Sequence, residues 1–192
     1  MSADEKRKSH ERILREAARL MRERGVAATS VADVMQAADL THGGFYRHFD
    51  SKEALVAKAF REAVDIAVSD LENADTPSEL CEARRSYIDR YLSLDHVKDR
   101  GNGCPFPTMA SELATLEGPA TTEMASALQR VGELLAAGDR HKTTGSFAVL
   151  ALLVGTITLA RAAGSDAEAR HMLEAGQAGV SVLMREGASR DW

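Results

Sequence analysis

Tyr46, Arg47 and His48 place a phenol, a guanidinium and an imidazole on consecutive residues, and Lys52 adds an ammonium shortly after them. All four groups donate hydrogen bonds to anions, and a guanidinium also reads base edges, so the chemistry they suit is contact with a nucleic acid. Gly43 and Gly44 stand just before them. Each glycine disfavours a helix by up to about 1 kcal/mol relative to alanine, a choice that makes sense where backbone must approach something closely. Thr41 and His42 complete the polar run, and Ser30 heads the element before it.

These residues need short, well-anchored elements around them. Ser30 and Asp33 have the Ser-x-x-Asp spacing of a helix-capping signature, and Val31, Val34 and Met35 follow as an apolar stripe at helical spacing. Ala37 and Ala38 allow close packing, and Asp39 is a turn residue whose short polar side chain tolerates left-handed backbone. Thr41 can cap a second short helix, which is too glycine-rich to stand alone and must be held by Leu40, Phe45 and Phe49 packing inward. Asp50 or Ser51 caps the next helix, with Lys52 in its first turn. The pattern is that of a helix-turn-helix, in which residues 41 to 48 enter the major groove. Arg47 then lies on bases or backbone, while Tyr46, His48 and Lys52 hold phosphates.

Thr29-Ser30-Val31, the turn at Asp39-Leu40-Thr41, Gly43-Gly44-Phe45-Tyr46-Arg47-His48-Phe49 and Ser51-Lys52-Glu53-Ala54-Leu55 resemble the signature of the tetracycline-repressor (TetR/AcrR) family of bacterial transcription regulators. The resemblance covers about the first third of the chain. Asp39 departs from it, since family members usually carry glycine there. The resemblance implies an all-α protein with an N-terminal three-helix helix-turn-helix DNA-binding domain, drawn at residues 1–55. A larger helical domain for effector binding and dimerisation follows, at residues 56–192. It further implies a ligand-responsive repressor that binds a palindromic double-stranded DNA operator as a homodimer and is released by a small-molecule effector.

Charge supports that division of labour. The chain of 192 residues has a net charge of -5, yet residues 1–60 carry 11 Lys+Arg against 9 Asp+Glu, whereas the remainder carries 13 against 20. Only the N-terminal part suits a polyanion. Lys6, Arg7 and Lys8 read as a short basic arm, either solvated or laid on DNA, before a first long helix. That helix buries Ile13, Leu14, Ala17, Ala18 and Met21, and Gly25 stops it near Arg24. Helical patterning continues from Ser51 to about Val68, from Ser78 to Leu94, from Thr108 to Leu116 and from Thr121 to Ala137, where Gly138 closes the element. Two last helices run from Thr144 to Ala163 and from Asp166 to Arg185. Residues 98–107 break the pattern with Gly101, Gly103, Pro105 and Pro107.

The apolar run Phe147 to Ala160 is shorter than a membrane span and reads as a buried helix, and the charged N-terminus lacks the apolar core of a signal peptide. A reducing cytoplasm is expected, with no membrane partner. Leu153, Val180, Leu183 and Met184 on the last two helices are the expected dimer contacts, forming a four-helix interface. An effector pocket is expected around Tyr87, Tyr91, Cys104, Phe106, Met109 and Leu113, with Glu112 as a polar anchor, although aromatic residues at such spacing also build plain core.

Catalytic readings find little support. His10, His42, His48, His96, His141 and His171 lack metal-ligand spacing, Cys81 and Cys104 form no disulfide framework, and neither a cofactor nor a metal is expected. A helical enzyme or carrier using Cys104 as nucleophile is the alternative class, and a thiol-based redox-sensing regulator is a second. Cys104 has no adjacent base, and no Ser-His-Asp, Cys-His or paired-carboxylate arrangement falls on neighbouring elements, so a regulator is favoured over an enzyme.

Overall fold

A computed structural model describes residues 3–136 and 143–188. The described residues are helical without strands: α1 (Ala3–Arg24), α2 (Val31–Ala37), a 3-10 helix (His42–Arg47), α3 (Lys52–Glu72), α4 (Pro77–Tyr91), α5 (Leu94–Lys98), α6 (Phe106–Leu113), α7 (Pro119–Leu135), α8 (Thr143–Arg161) and α9 (Asp166–Ala188). Gly138 and His141 lie outside the described residues. None of the described helices is long and apolar enough to cross a membrane.

The chain forms two compact units, Met1–Ile66 with Arg100–Ala127, and Ala67–Asp99 with Leu128–Trp192. The boundary expected after residue 55 instead falls within α3, and the segment 100–127 joins the N-terminal elements. Packing explains the difference. Phe106 meets Phe60 of α3 edge-on at 5.6 Å between ring centroids, and Met109 and Leu113 of α6 are buried with Ile13, Ala17 and Met21 of α1 in the first unit's core.

Local chemistry sets the helix ends. Ser30 and Thr76 each close a capping box, with Asp33 and Glu79 respectively, which satisfies backbone N–H groups that a helix start leaves without intrahelical partners. Gly25 ends α1 at φ +90°, a conformation that glycine adopts without a Cβ penalty. The basic arm expected at Lys6–Lys8 is the first turns of α1 instead. Arg7 pairs with Asp4 and Glu11, and Lys8 pairs with Asp4, so acids at helical spacing offset the basic run and favour the helix.

In the second unit, α8 and α9 pack along each other. Gly176 allows this close approach, because an added Cβ would lie 2.6 Å from Thr156 Oγ1. The helix expected from Ser78 to Leu94 ends at Tyr91, and Ser93 caps a separate short helix, α5. Helix α6 begins at Phe106 and not at Thr108, since Pro107 fits the first turn, where no backbone donor is needed.

Candidate nucleic-acid interface

The interface candidate belongs wholly to the first unit and is built from α2 forward. Ser30 Oγ accepts from Asp33 N at 3.1 Å, and Asp33 Oδ2 accepts from Ser30 N at 2.9 Å and from the Ser30 hydroxyl at 2.8 Å. The exposed Ser30 hydroxyl is thus already engaged in the cap. These hydrogen bonds hold the Asp33 carboxyl below its ordinary range, Ser30 being the main cause. Asp39 has φ 53°, the left-handed turn expected of it, and Leu40 N donates back to Met35 O at 2.9 Å.

The element after this turn differs from expectation in type. It is a 3-10 helix from His42 to Arg47, and Thr41 occupies the N-cap position without a side-chain cap hydrogen bond. Two adjacent glycines weaken an α-helix, while the shorter 3-10 form needs fewer residues to close its first hydrogen bond. Phe45 is buried and anchors the segment, packing on Phe49 at 5.7 Å between centroids. Around that anchor Thr41, His42, Gly43 and Arg47 are exposed, Gly44 is half-buried and Tyr46 is 73% exposed. A tyrosine held edge-on at 5.2 Å from a buried phenylalanine presents its phenol from a fixed base.

His48 and Lys52 sit deeper. His48 ring lies 6.0 Å from that of His10, which stacks on Phe49 at 4.6 Å, and Lys58 Nζ is 5.4 Å from the Phe49 ring centroid. His48 Nδ1 is buried without a hydrogen bond. Burial, followed by Lys6 and Arg47, depresses the His48 pKa, and burial followed by Lys58 and His48 does the same for His10, with Glu11 opposing. Lys52 Nζ donates to Val26 O at 3.0 Å, which leaves its other two N–H bonds for an anion.

Glu112 is the residue of this region that sequence reasoning placed elsewhere. Its carboxylate accepts from Val26 N at 3.1 Å and from Ala27 N at 2.6 Å, tying α6 to the loop that feeds Ser30. Thr29 Oγ1 donates to Gly25 O at 2.7 Å within the same loop. An added Cβ at Gly25 would overlap Glu112 Oε1 and lie 3.3 Å from its Cδ, so glycine serves both the backbone conformation and the carboxylate. A lone acid on the short apolar helix Phe106–Leu113 was the available signal, but its partners are backbone amides 85 and 86 residues away.

The other expected sites divide between the units. Cys104, Phe106, Met109 and Leu113 are core residues of the first unit, whereas Tyr87 and Tyr91 are buried in the second with ring centroids 5.6 Å apart. Of the expected dimer contacts, Leu153 and Val180 are buried within the chain's own second unit. Leu183 and Met184 are half-buried, and the large apolar residues exposed on α8 and α9 include Leu159 and Val182. Neither Cys81 nor Cys104 forms a disulfide, and Cys104 is buried while Cys81 is exposed. Among the described residues, no group of three or more His, Cys, Asp or Glu is placed to hold a metal ion.

Residues 13–59 match the tetR family of bacterial regulatory proteins, the span that runs from the buried face of α1 through the 3-10 helix into α3. Residues 13–59 form a TetR-type domain. Among the relatives, the HTH-type transcriptional repressor KstR2 of Rhodococcus jostii is 47% identical over 49 residues, 26% of this chain and 24% of that protein. The match therefore spans about a quarter of KstR2. An uncharacterised HTH-type transcriptional regulator of Mycobacterium tuberculosis is 29% identical over 164 residues, 79% of this chain and 83% of its own length. A TetR-family regulator from Cytophaga hutchinsonii has the same fold, with a TM-score of 0.72 at 21% identity over 94% of this chain and 97% of that one. The family and relative names are those of transcription regulators and not of enzymes, which favours a regulator over the Cys104 nucleophile reading.

Proposed function

We propose that this chain, with its TetR-type domain, is a DNA-binding transcription repressor whose 3-10 helix enters the major groove of a palindromic operator, and that a small-molecule effector releases it. The observation that carries this reading is Gly43. An added Cβ there would meet nothing within 4 Å, so no internal packing requires a glycine, and its helix-weakening absence of a side chain is explained by close approach to an external surface. Exposed Thr41, His42, Tyr46 and Arg47 flank it. In this reading Arg47 reaches base edges or backbone while Tyr46, His48 and Lys52 hold phosphates.

A two-fold dimer provides the second recognition element, spaced about one DNA turn, roughly 34–36 Å, or a multiple of it from the first. Exposed Leu159 and Val182 on α8 and α9 support the assignment of the dimer surface to those helices. An effector that favours the DNA-free arrangement by about 1–3 kcal/mol lowers DNA affinity roughly 5- to 150-fold, and DNA weakens effector binding by the same factor. The test is selection of bound fragments from the source genome, followed by footprinting with a library of metabolites. Enrichment of one palindromic sequence, protected over two half-sites, is the expected result; salt-sensitive binding with no sequence enrichment overturns the repressor assignment.

A further inference from the structure

Helix α4 carries three arginines, Arg84, Arg85 and Arg90. Arg85 and Arg90 are exposed, and Arg90 pairs with Asp70 at 2.8 Å. Arg84 is different: it is only 9% exposed, and no carboxylate of the described residues forms an ion pair with it. Its Nε donates to the main-chain oxygen of Leu134 at 2.7 Å. A guanidinium at the carboxyl end of α7 (Pro119–Leu135) is a favourable helix cap, but capping needs one donor and does not require burying the charge. Burying an ion is expensive unless a counter-charge or several hydrogen bonds compensate. Burial depresses the Arg84 pKa, in keeping with that penalty. The Nη nitrogens, with four N–H bonds in a planar fork, keep the geometry that accepts a carboxylate.

The neighbours of Arg84 give the rest of the site its character. Tyr87, Ile88 and Tyr91 follow at helical spacing on the same buried face of α4. Beyond Tyr91, the His96 ring packs edge-on against it at 4.5 Å, and Arg161 donates to the His96 carbonyl at 3.1 Å. An apolar, aromatic face with a buried cation at one end is complementary to a molecule with a hydrocarbon body and one anionic end.

We propose that Arg84 is the anion anchor of the effector site, and that the effector is an apolar carboxylic acid whose carboxylate takes the Nη fork while its hydrocarbon lies along Tyr87 and Tyr91. This rests on the effector-responsive reading of the protein and adds the ligand class. All residues of the site belong to the second unit.

The test uses octanoate and its neutral counterpart octan-1-ol as probes on the full chain, followed by calorimetric titration and by ¹⁵N spectra of arginine side chains. The wild type is expected to bind octanoate at least about tenfold more tightly than octanol, the loss of one charge-assisted contact. The Arg84 Nε–H resonance should move with octanoate and stay with octanol. Arg84→Met removes the preference, and Arg84→Lys retains part of it, since the charge survives without the fork. A resonance that ignores octanoate, equal affinity for the two probes, or an undiminished preference in a folded Arg84→Met each overturns the anchor and leaves Arg84 as a cap for α7. Should Arg84→Met not fold, the wild-type spectra decide. Operator release by neutral metabolites alone removes the acid class and leaves effector-responsive repression standing. Octanoate held at Arg84, in a chain whose DNA affinity no library member changes, removes that reading and leaves the acid site.

Discussion

Replacing Glu112 with alanine tests whether α6 braces the loop that leads into α2. The carboxylate holds two backbone amides, Val26 N at 3.1 Å and Ala27 N at 2.6 Å. Hydrogen bonds to charged groups contribute about 1.5–3 kcal/mol each. The bond to Val26 is part-buried, whereas that to Ala27 is exposed and water can replace it, so the pair is worth little more than one such bond, about 2–3 kcal/mol. For a chain of 192 residues, 1 kcal/mol shifts the melting midpoint by about 2–4 °C. Glu112→Ala should therefore melt roughly 4–12 °C lower. Gly25→Ala is the second perturbation. In the wild-type chain it adds left-handed strain of about 1–2 kcal/mol and displaces the Glu112 carboxylate, which the new Cβ would overlap. In the Glu112→Ala background only the strain remains. Urea unfolding of the four proteins completes a double-mutant cycle, in which Gly25→Ala should be less destabilising by about 1 kcal/mol or more when Glu112 is absent. Additive effects within error, or a melting midpoint unchanged in Glu112→Ala, would refute the brace.

Gly43→Ala should keep the wild-type circular dichroism and melting midpoint, because space is open there, while fluorescence anisotropy should find operator affinity lower by about tenfold or more; unchanged affinity would remove the close-approach argument. Lys52→Ala should weaken binding to all DNA sequences alike and reduce the salt slope by about one, with a small loss of stability from the missing Val26 bond, whereas sequence-selective loss would move Lys52 from phosphate to base. His10, His48 and His96 have pKa values below the ordinary histidine value, each with burial as the first cause, so the unfolded chain binds more protons. Stability should then be intact above about pH 6.5 and fall as the pH drops below it toward the depressed values; melting midpoints that rise from pH 7 to 5.5 would contradict the sign. Val182→Lys should produce a folded monomer by light scattering, while Leu153→Lys should unfold the chain, since Leu153 is fully buried within it; a dimeric Val182→Lys protein would place the interface elsewhere.

The residues facing the proposed operator were legible because their determinants are local. A capping box spans four residues, a left-handed turn needs one short polar side chain or a glycine, and an amphipathic stripe repeats within two turns, so Ser30 with Asp33, Asp39 and the buried Phe45 follow from neighbouring residues alone. The all-α class and the course of α1, α3 and α9 are local in the same sense. Choices between similar local states were less determined: the Gly43–Gly44 pair weakens an α-helix, but only the packing of Phe45 on Phe49 and the surrounding core selects a 3-10 helix. Long-range partners were not legible at all. Nothing near Glu112 in the chain says that its carboxylate meets Val26 and Ala27, nothing near Arg84 says that it is buried against Leu134, and apolarity alone cannot tell Leu153, which faces inward, from Leu159, which faces water. The sequence by itself determined the helical course of α1, α3 and α9 and which short segment carries the polar run from Thr41 to Arg47, because those depend on residues a few positions apart. Tertiary structure decided which charges are braces, which are drawn into the interior and which apolar residues remain outside, because burial depends on segments far apart in the chain.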